Sequence, residues 1–146
     1  MKILIPNTIA LPVTVDVEVV VYDIDVEIPA QHRDAEVLVV WHNSSSWLQD
    51  AARMLPRLRL VQALASGADA VLNAGFGDDV RICSGRSLHD GPVAEHALAL
   101  ILSAVRRLDR LHDAQREHRW DDDLNDVQSA PDTQASYTLA GARVTI

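Results

Sequence analysis

A short turn of small residues follows one of the chain's apolar runs and could bind an anion. Residues 58–64 have the composition of a buried strand, and Ala65, Ser66 and Gly67 come directly after them. A glycine-containing turn at the carboxyl end of a parallel strand exposes main-chain N–H groups that can hold a negatively charged ligand. A tight turn without a ligand has the same composition, and from these residues alone it is the commoner outcome.

The histidines and the cysteine do not form a recognisable metal motif. The six histidines show no convincing ligand pairing, and His112 and His118 lie six positions apart, off a single helical face. One cysteine, Cys83, cannot supply a zinc pattern. The sequence therefore predicts no metal site.

Composition and charge exclude some classes of partner. The chain has 146 residues, 48% of them hydrophobic, with 13 basic and 21 acidic residues and a net charge of −8. Such a charge repels phosphate backbones and anionic lipid, so we expect no nucleic-acid partner. The longest apolar run, from Ala97 to Val105, is shorter than the ~20 residues of a membrane span. A lone Cys83 favours a reducing, cytoplasmic setting, and we expect its side chain to be buried.

The first part of the chain alternates between strand and helix patterns. Apolar runs typical of buried strands occur at residues 2–6, 17–22, 37–41, 58–64 and 80–83. A polar cluster at residues 42–46 is a good N-cap region for a helix from about Trp47 to Met54. Strands that are apolar on both sides and joined by helix-length connections predict an α/β fold with a parallel sheet and helices on both faces.

The second part of the chain begins with a strong helix signal. Asp90 or Gly91 can act as the cap, Pro92 suits the first turn, and we predict one helix that runs to about His118. Its middle, from Ala97 to Val105, is apolar on nearly every face and needs cover on two sides. Residues 121–138 are predicted to be a loop whose acidic triplet, 121–123, is a solvated turn. Residues 139–146 read as a turn and a short apolar strand.

The order of these features resembles the D-isomer-specific 2-hydroxyacid dehydrogenase family. Residues 93–108, Val-Ala-Glu-His-Ala-Leu-Ala-Leu-Ile-Leu-Ser-Ala-Val-Arg-Arg-Leu, are similar to the helix that links the family's two domains. Residues 58–69, residues 80–83, Trp120 and residues 139–146 support the likeness, which covers about residues 36–146. The resemblance implies a flavodoxin-like substrate domain at 1–90, a linking helix at 91–120, a loop at 121–138 and the first strand of a Rossmann NAD-binding domain at 139–146.

The resemblance also implies which residues contact the substrate and the cofactor. Main-chain amides of Ala65, Ser66 and Gly67 would hold the carboxylate of a small 2-hydroxy or 2-oxo acid. His42 and Asn43 would lie near the mouth of the same cleft, although a lone loop histidine is more often a surface residue. Pro92 and Val93 match positions near the nicotinamide. The occurrence of these two residue types is also explained by helix initiation alone.

The family's activity depends on groups that these 146 residues do not contain. Its members transfer hydride between a nicotinamide cofactor and the acid, with a G-x-G-x-x-G fingerprint, an arginine and a Glu–His pair. Gly75-Phe-Gly77 lacks the third glycine of that fingerprint. The resemblance therefore implies NAD or NADP in a full-length parent, no catalytic residue in this chain, no strong cofactor binding by it, and no activity of this chain alone. The sequence selects neither the acid nor the cofactor.

A non-enzymatic module is the alternative to an oxidoreductase. In the family, the linking helix packs against a partner across a two-fold axis, so the resemblance implies a homodimer through the helix around Ala97 to Val105. The same apolar surface would suit an α/β dimerisation or interaction module without catalytic function. The sequence leaves both interpretations open.

Overall fold

The computed structural model describes residues 1–12, 16–122, 138–139, 141–143 and 145. The chain forms two compact units, Met1–His89 and Asp90–Ile146. The first unit contains the sheet, and the described part of the second consists mainly of helix.

The first unit is built on a five-stranded sheet in which every pair of neighbouring strands is parallel. The strands are β1 (Lys2–Pro6), β2 (Glu18–Tyr22), β3 (Val37–Val40), β4 (Leu60–Ala63) and β5 (Arg81–Cys83). Their spatial order is β2-β1-β3-β4-β5, which is the order of flavodoxin-like folds. The predicted α/β class with a flavodoxin-like parallel sheet is confirmed.

One face of the sheet carries the hydrophobic core. Leu4, Leu38 and Val61 from the three central strands are fully buried there. They form one cluster with buried residues of helix α1 (Ser45–Met54). A 3-10 turn (Ala30–His32) precedes β3, and a short helix α2 (Asp69–Leu72) follows β4. Ser44 caps α1, because its Oγ accepts a hydrogen bond from the Trp47 N–H at 3.2 Å. The predicted N-cap region is confirmed.

The opposite face of the sheet is apolar but less completely covered. The strand register aligns Val19, Ile3, Val37 and Leu60 in one row across four strands, and all four are half-buried. Val21, on the edge strand β2, is 66% exposed. In a parallel sheet both faces are ordinarily covered, so this face is the less protected side of the unit.

In the described residues up to Arg116, the second unit has two helices where the sequence predicts one. Helix α3 spans Asp90–Val105 and helix α4 spans Leu108–Arg116. Arg107 between them has φ 52°, a left-handed conformation that a right-handed helix cannot continue through. The prediction of one helix from Asp90 to about His118 is therefore wrong at this break.

Helix α3 is poorly covered along its whole length. It has no buried residue, and Leu98, Leu100 and Leu102 are 46% to 58% exposed. An apolar helix in that state needs a further surface against which to pack.

Two expectations about single residues are wrong. Asp121 is not part of a solvated turn: its side chain is 2% exposed and accepts two hydrogen bonds from Arg110, Nε to Oδ2 at 2.7 Å and Nη2 to Oδ1 at 2.8 Å. A buried carboxylate requires such pairing. Cys83 is exposed rather than buried, because it belongs to the edge strand β5.

The predictions for the end of the chain fall largely outside the described residues. Residues 123–137 of the predicted loop are not among them, nor are residues 140, 144 and 146 of the predicted strand. The described part of residues 139–146 contains a turn, in which the Ala142 N–H donates to the Leu139 carbonyl at 3.0 Å, and no strand is assigned there. In the part of the chain that the structure describes, no helix has the length and apolar character to cross a bilayer.

Candidate functional site

The carboxyl ends of the parallel strands lie along one edge of the sheet. In the order β2-β1-β3-β4-β5, the chain first adds a strand on one side of β1 and then adds the remaining strands on its other side. The topological switch point therefore lies between β1 and β3, and ligands of such folds bind in the crevice at the carboxyl ends of these strands. Thr8, after β1, donates from Oγ1 to the Trp41 carbonyl after β3 at 3.1 Å. This edge, with the loops that follow β3, β4 and β5, is the candidate site.

The loop after β3 is fixed mainly by Asn43. The Asn43 Oδ1 accepts a hydrogen bond from the Trp41 N–H at 3.1 Å and lies 3.0 Å from the Tyr22 hydroxyl oxygen. These contacts hold a tight turn in which His42 has φ 66°. The Asn43 Nδ2 is buried and has no hydrogen-bond partner among the described residues.

Tyr22 supports this loop from the core. Its hydroxyl donates to the Val39 carbonyl at 2.8 Å, and its ring stacks on Trp47 with the ring centroids 4.8 Å apart. Burial raises the pKa of the Tyr22 hydroxyl above its ordinary value, against a smaller lowering by Asn43. Tyr22 is therefore a neutral donor over the whole range in which proteins ordinarily work.

The predicted anion-binding turn is open and exposed. The Leu64 N–H still donates to the Val40 carbonyl at 3.0 Å, as in a sheet ladder. The next three residues, Ala65, Ser66 and Gly67, are exposed, and their N–H groups donate no hydrogen bond to other described residues. A Cβ on Gly67 would lie 3.7 Å from the nearest atom, Oδ2 of Asp69, which is ordinary contact. The turn has free donors, and Gly67 is not required there by crowding.

Gly85, in the loop after β5, is a residue of the site that the sequence interpretation missed. A Cβ at this position would lie 2.0 Å from the Leu64 carbonyl oxygen and 2.5 Å from its carbon, so only glycine fits. The Gly85 N–H donates to the Ala65 carbonyl at 2.8 Å. The sequence does carry a sign of this contact, because a glycine shortly after a strand often marks a close approach of two backbone segments.

Trp41 and His89 were also missed. The Trp41 ring stacks against His42 and His89, with centroid distances of 4.5 and 5.7 Å. His89 Nε2 lies 3.3 Å from the Leu64 carbonyl oxygen. Because a carbonyl oxygen can only accept, this bond requires the hydrogen on Nε2. The loops after β3, β4 and β5 thus meet through Trp41, His89 and Leu64.

The structure brings some of the predicted residues to one edge and leaves others apart. His42, Asn43 and the turn 65–67 all follow neighbouring strands at the same edge of the first unit. Pro92 and Val93 lie in the first turn of α3 in the second unit and are exposed. Among the described residues, no group of three or more His, Cys, Asp or Glu side chains is placed to hold a metal ion.

Comparisons with known proteins agree with the fold. A parallel sheet of this order defines the flavodoxin-like class. One solved structure of this class, a D-isomer specific 2-hydroxyacid dehydrogenase family protein from Aeromonas salmonicida subsp. salmonicida A449, superimposes with a TM-score of 0.60 at 16% sequence identity. The match covers 82% of this chain and 40% of the solved chain, so this chain spans less than half of that protein. No protein-family model and no curated protein sequence matches the chain.

Proposed function

We propose that this chain is the N-terminal, substrate-domain portion of an NAD(P)-dependent 2-hydroxyacid dehydrogenase. Such an enzyme transfers hydride between a nicotinamide cofactor and a small 2-hydroxy or 2-oxo acid. The observation that carries the proposal is the turn 65–67 at the carboxyl edge of the sheet, three exposed residues whose N–H groups have no partner among the described residues. The fold of the solved dehydrogenase family protein supports it. A cytoplasmic location goes with it, because the single Cys83 cannot form an internal disulfide.

The chemistry of the turn suits a carboxylate. Hydrogen bonds from main-chain N–H groups to an ionised acceptor are roughly twice as strong as neutral ones, and adjacent donors can hold both oxygens. His42 and Asn43 follow the neighbouring strand and would lie near the rest of the acid. In this proposal the chain binds and orients the acid rather than exchanging its proton.

The cofactor would be NAD or NADP, bound mainly by residues that this chain does not supply. The G-x-G-x-x-G fingerprint does not occur in the 146 residues, and in this chain only Pro92 and Val93 match positions that would lie near the nicotinamide. We therefore expect the chain alone to bind the acid without reducing it. Incubation with NADH and glyoxylate should give no turnover above the rate without protein, and turnover abolished by a Gly67 substitution would contradict this.

Amide NMR on the full chain tests the binding site. Glyoxylate should shift the amide signals of Ala65, Ser66 and Gly67, whereas its uncharged amide should not. Gly67→Val places a branched side chain on the exposed turn and should weaken the shifts. Gly91→Ala is the matched control, because a Cβ on Gly91 would have no neighbour within 4 Å. Glyoxylate shifts that avoid the turn would contradict the proposal.

A non-enzymatic dimerisation or interaction module is the second candidate, favoured by the exposed leucines of α3. A homodimer through the helix around Ala97 to Val105 would cover them, and it is compatible with either function. Sedimentation should show a dimer, and Leu98→Glu with Leu102→Glu, one turn apart, should dissociate it. Leu72→Glu, at an exposed leucine of the first unit, is the control. A stable monomer at micromolar concentration would contradict the dimer.

A further inference from the structure

We propose that His89 and Gly85 are positioning residues that orient the Ala65 and Ser66 N–H groups toward the anion. The inference rests on the proposed function, because it explains how the turn 65–67 is prepared for a carboxylate. Neither residue lies in the turn itself. His89 contacts the Leu64 carbonyl oxygen and Gly85 contacts the Ala65 carbonyl oxygen, and these two carbonyls precede the donors.

The planarity of the peptide group connects these contacts to the donors. In a trans peptide the C=O and the following N–H point in opposite directions and cannot rotate independently. The described peptide bonds include no cis bond. Holding the Leu64 carbonyl therefore fixes the direction of the Ala65 N–H, and holding the Ala65 carbonyl fixes that of the Ser66 N–H.

Gly85 fixes the second of these peptides. Its N–H donates to the Ala65 carbonyl at 2.8 Å, and the space that a Cβ would need is filled by the Leu64 carbonyl group. The buried Gly85 backbone is thus packed directly on the strand end. The Ser66 N–H must point away from this contact, toward the opposite side of the turn.

His89 fixes the first peptide. Its Nε2–H donates to the Leu64 carbonyl at 3.3 Å, and its ring is half-buried against Trp41. The stacking limits the rotation of the imidazole, so the donor stays at the carbonyl. A hydrogen bond to a carbonyl also polarises the peptide and makes its N–H a stronger donor. Both effects favour anion binding at Ala65.

The first experiment needs no ligand. His89→Phe keeps an aromatic ring on Trp41 but removes the donor, whereas His89→Gln can restore a donor without the ring. We expect the Ala65 amide proton of His89→Phe to move upfield and to shift back in His89→Gln, with the other amides of the sheet unchanged. An Ala65 signal that is the same in the wild type and in His89→Phe would overturn the role of His89.

The second experiment measures glyoxylate binding through the same amide signals. His89→Phe should weaken binding about threefold to tenfold, the range expected for one hydrogen bond, and His89→Gln should recover most of it. Gly85→Ala should weaken glyoxylate binding more than His89→Phe does, because its Cβ would displace the Leu64 carbonyl group. Gly91→Ala should bind glyoxylate as the wild type does. If Gly85→Ala does not fold, the two His89 variants still decide the inference.

The outcomes separate the two proposals. If glyoxylate does not shift residues 65–67 in the wild type, the proposed function fails, while the ligand-free Ala65 signal still reports on His89. If glyoxylate binds at the turn and His89→Phe binds equally well, the proposed function stands and the inference is refuted.

Discussion

Replacing Tyr22 by phenylalanine should destabilise the first unit by about 1 to 2 kcal/mol, the usual cost of losing a buried hydrogen bond. The hydroxyl is buried, donates to the Val39 carbonyl at 2.8 Å and lies 3.0 Å from Asn43 Oδ1, while the ring stacking on Trp47 is retained in the variant. For a domain that is stable by roughly 5 to 15 kcal/mol, such a loss is measurable. Urea unfolding followed by tryptophan fluorescence should show a midpoint lower by about 0.5 to 1 M.

The pH dependence of the same variant provides an internal control. Burial raises the pKa of Tyr22 in the folded protein, so above about pH 10 the unfolded state of the wild type ionises while the folded state does not. The contribution of Tyr22 to the free energy of unfolding is therefore fully present below about pH 10 and decreases as the pH rises further. Phenylalanine cannot titrate, so the difference in unfolding free energy between the two proteins should narrow at high pH. A difference that stays constant up to pH 11, or no difference at neutral pH, would refute the reasoning.

Three further predictions concern the capping residue and two ion pairs. Ser44→Ala should lower the free energy of unfolding by about 1 kcal/mol, because the cap of α1 is lost, while Ser45→Ala should have little effect in the same urea titration. Asp121→Asn should lower the thermal midpoint of the second unit, because the amide keeps only one acceptor oxygen and turns an NH2 group toward the Arg110 guanidinium. An unchanged midpoint would contradict this. A hydrogen bond from Lys2 Nζ holds the pKa of Asp34 below its usual value. The wild type should therefore be more stable than Asp34→Asn at neutral pH and lose that advantage as the pH falls below about 4. A stability difference that persists at pH 2 would contradict the prediction.

The sheet could be predicted from the sequence because its strands are continuous apolar runs. The run from Val37 to Val40 is short and rich in β-branched residues, which favours a buried strand. The small residues after Leu64 predict a turn at the end of the neighbouring strand β4. The break at Arg107 could not be predicted, because an arginine in the left-handed region gives no compositional signal. Asp121 was misread because its partner, Arg110, lies eleven residues earlier on α4. Side-chain pairing at that distance depends on the tertiary fold.

The part of the candidate site that escaped prediction follows from the strand order. Trp41 and His89 are 48 positions apart in the chain, yet their loops follow β3 and β5, which both flank β4. The stacking of Trp41 on His89 and the contact of His89 with Leu64 therefore exist only once the five strands are arranged. Gly85 is different, because its position two residues after β5 is visible in the sequence, but the atom that it must avoid, the Leu64 carbonyl oxygen, is not.

The proposed site, made of main-chain donors, would place few constraints on the side chains of the turn itself. The N–H groups of residues 65–67 belong to the main chain, so their capacity to donate does not depend on the side-chain types in the turn. What such a site requires is that the preceding carbonyls keep their orientation. That requirement falls on the residues that contact them, His89 and Gly85, rather than on the turn. Substitutions inside the turn should then be tolerated better than substitutions at these two positions, provided that the new side chains in the turn stay small.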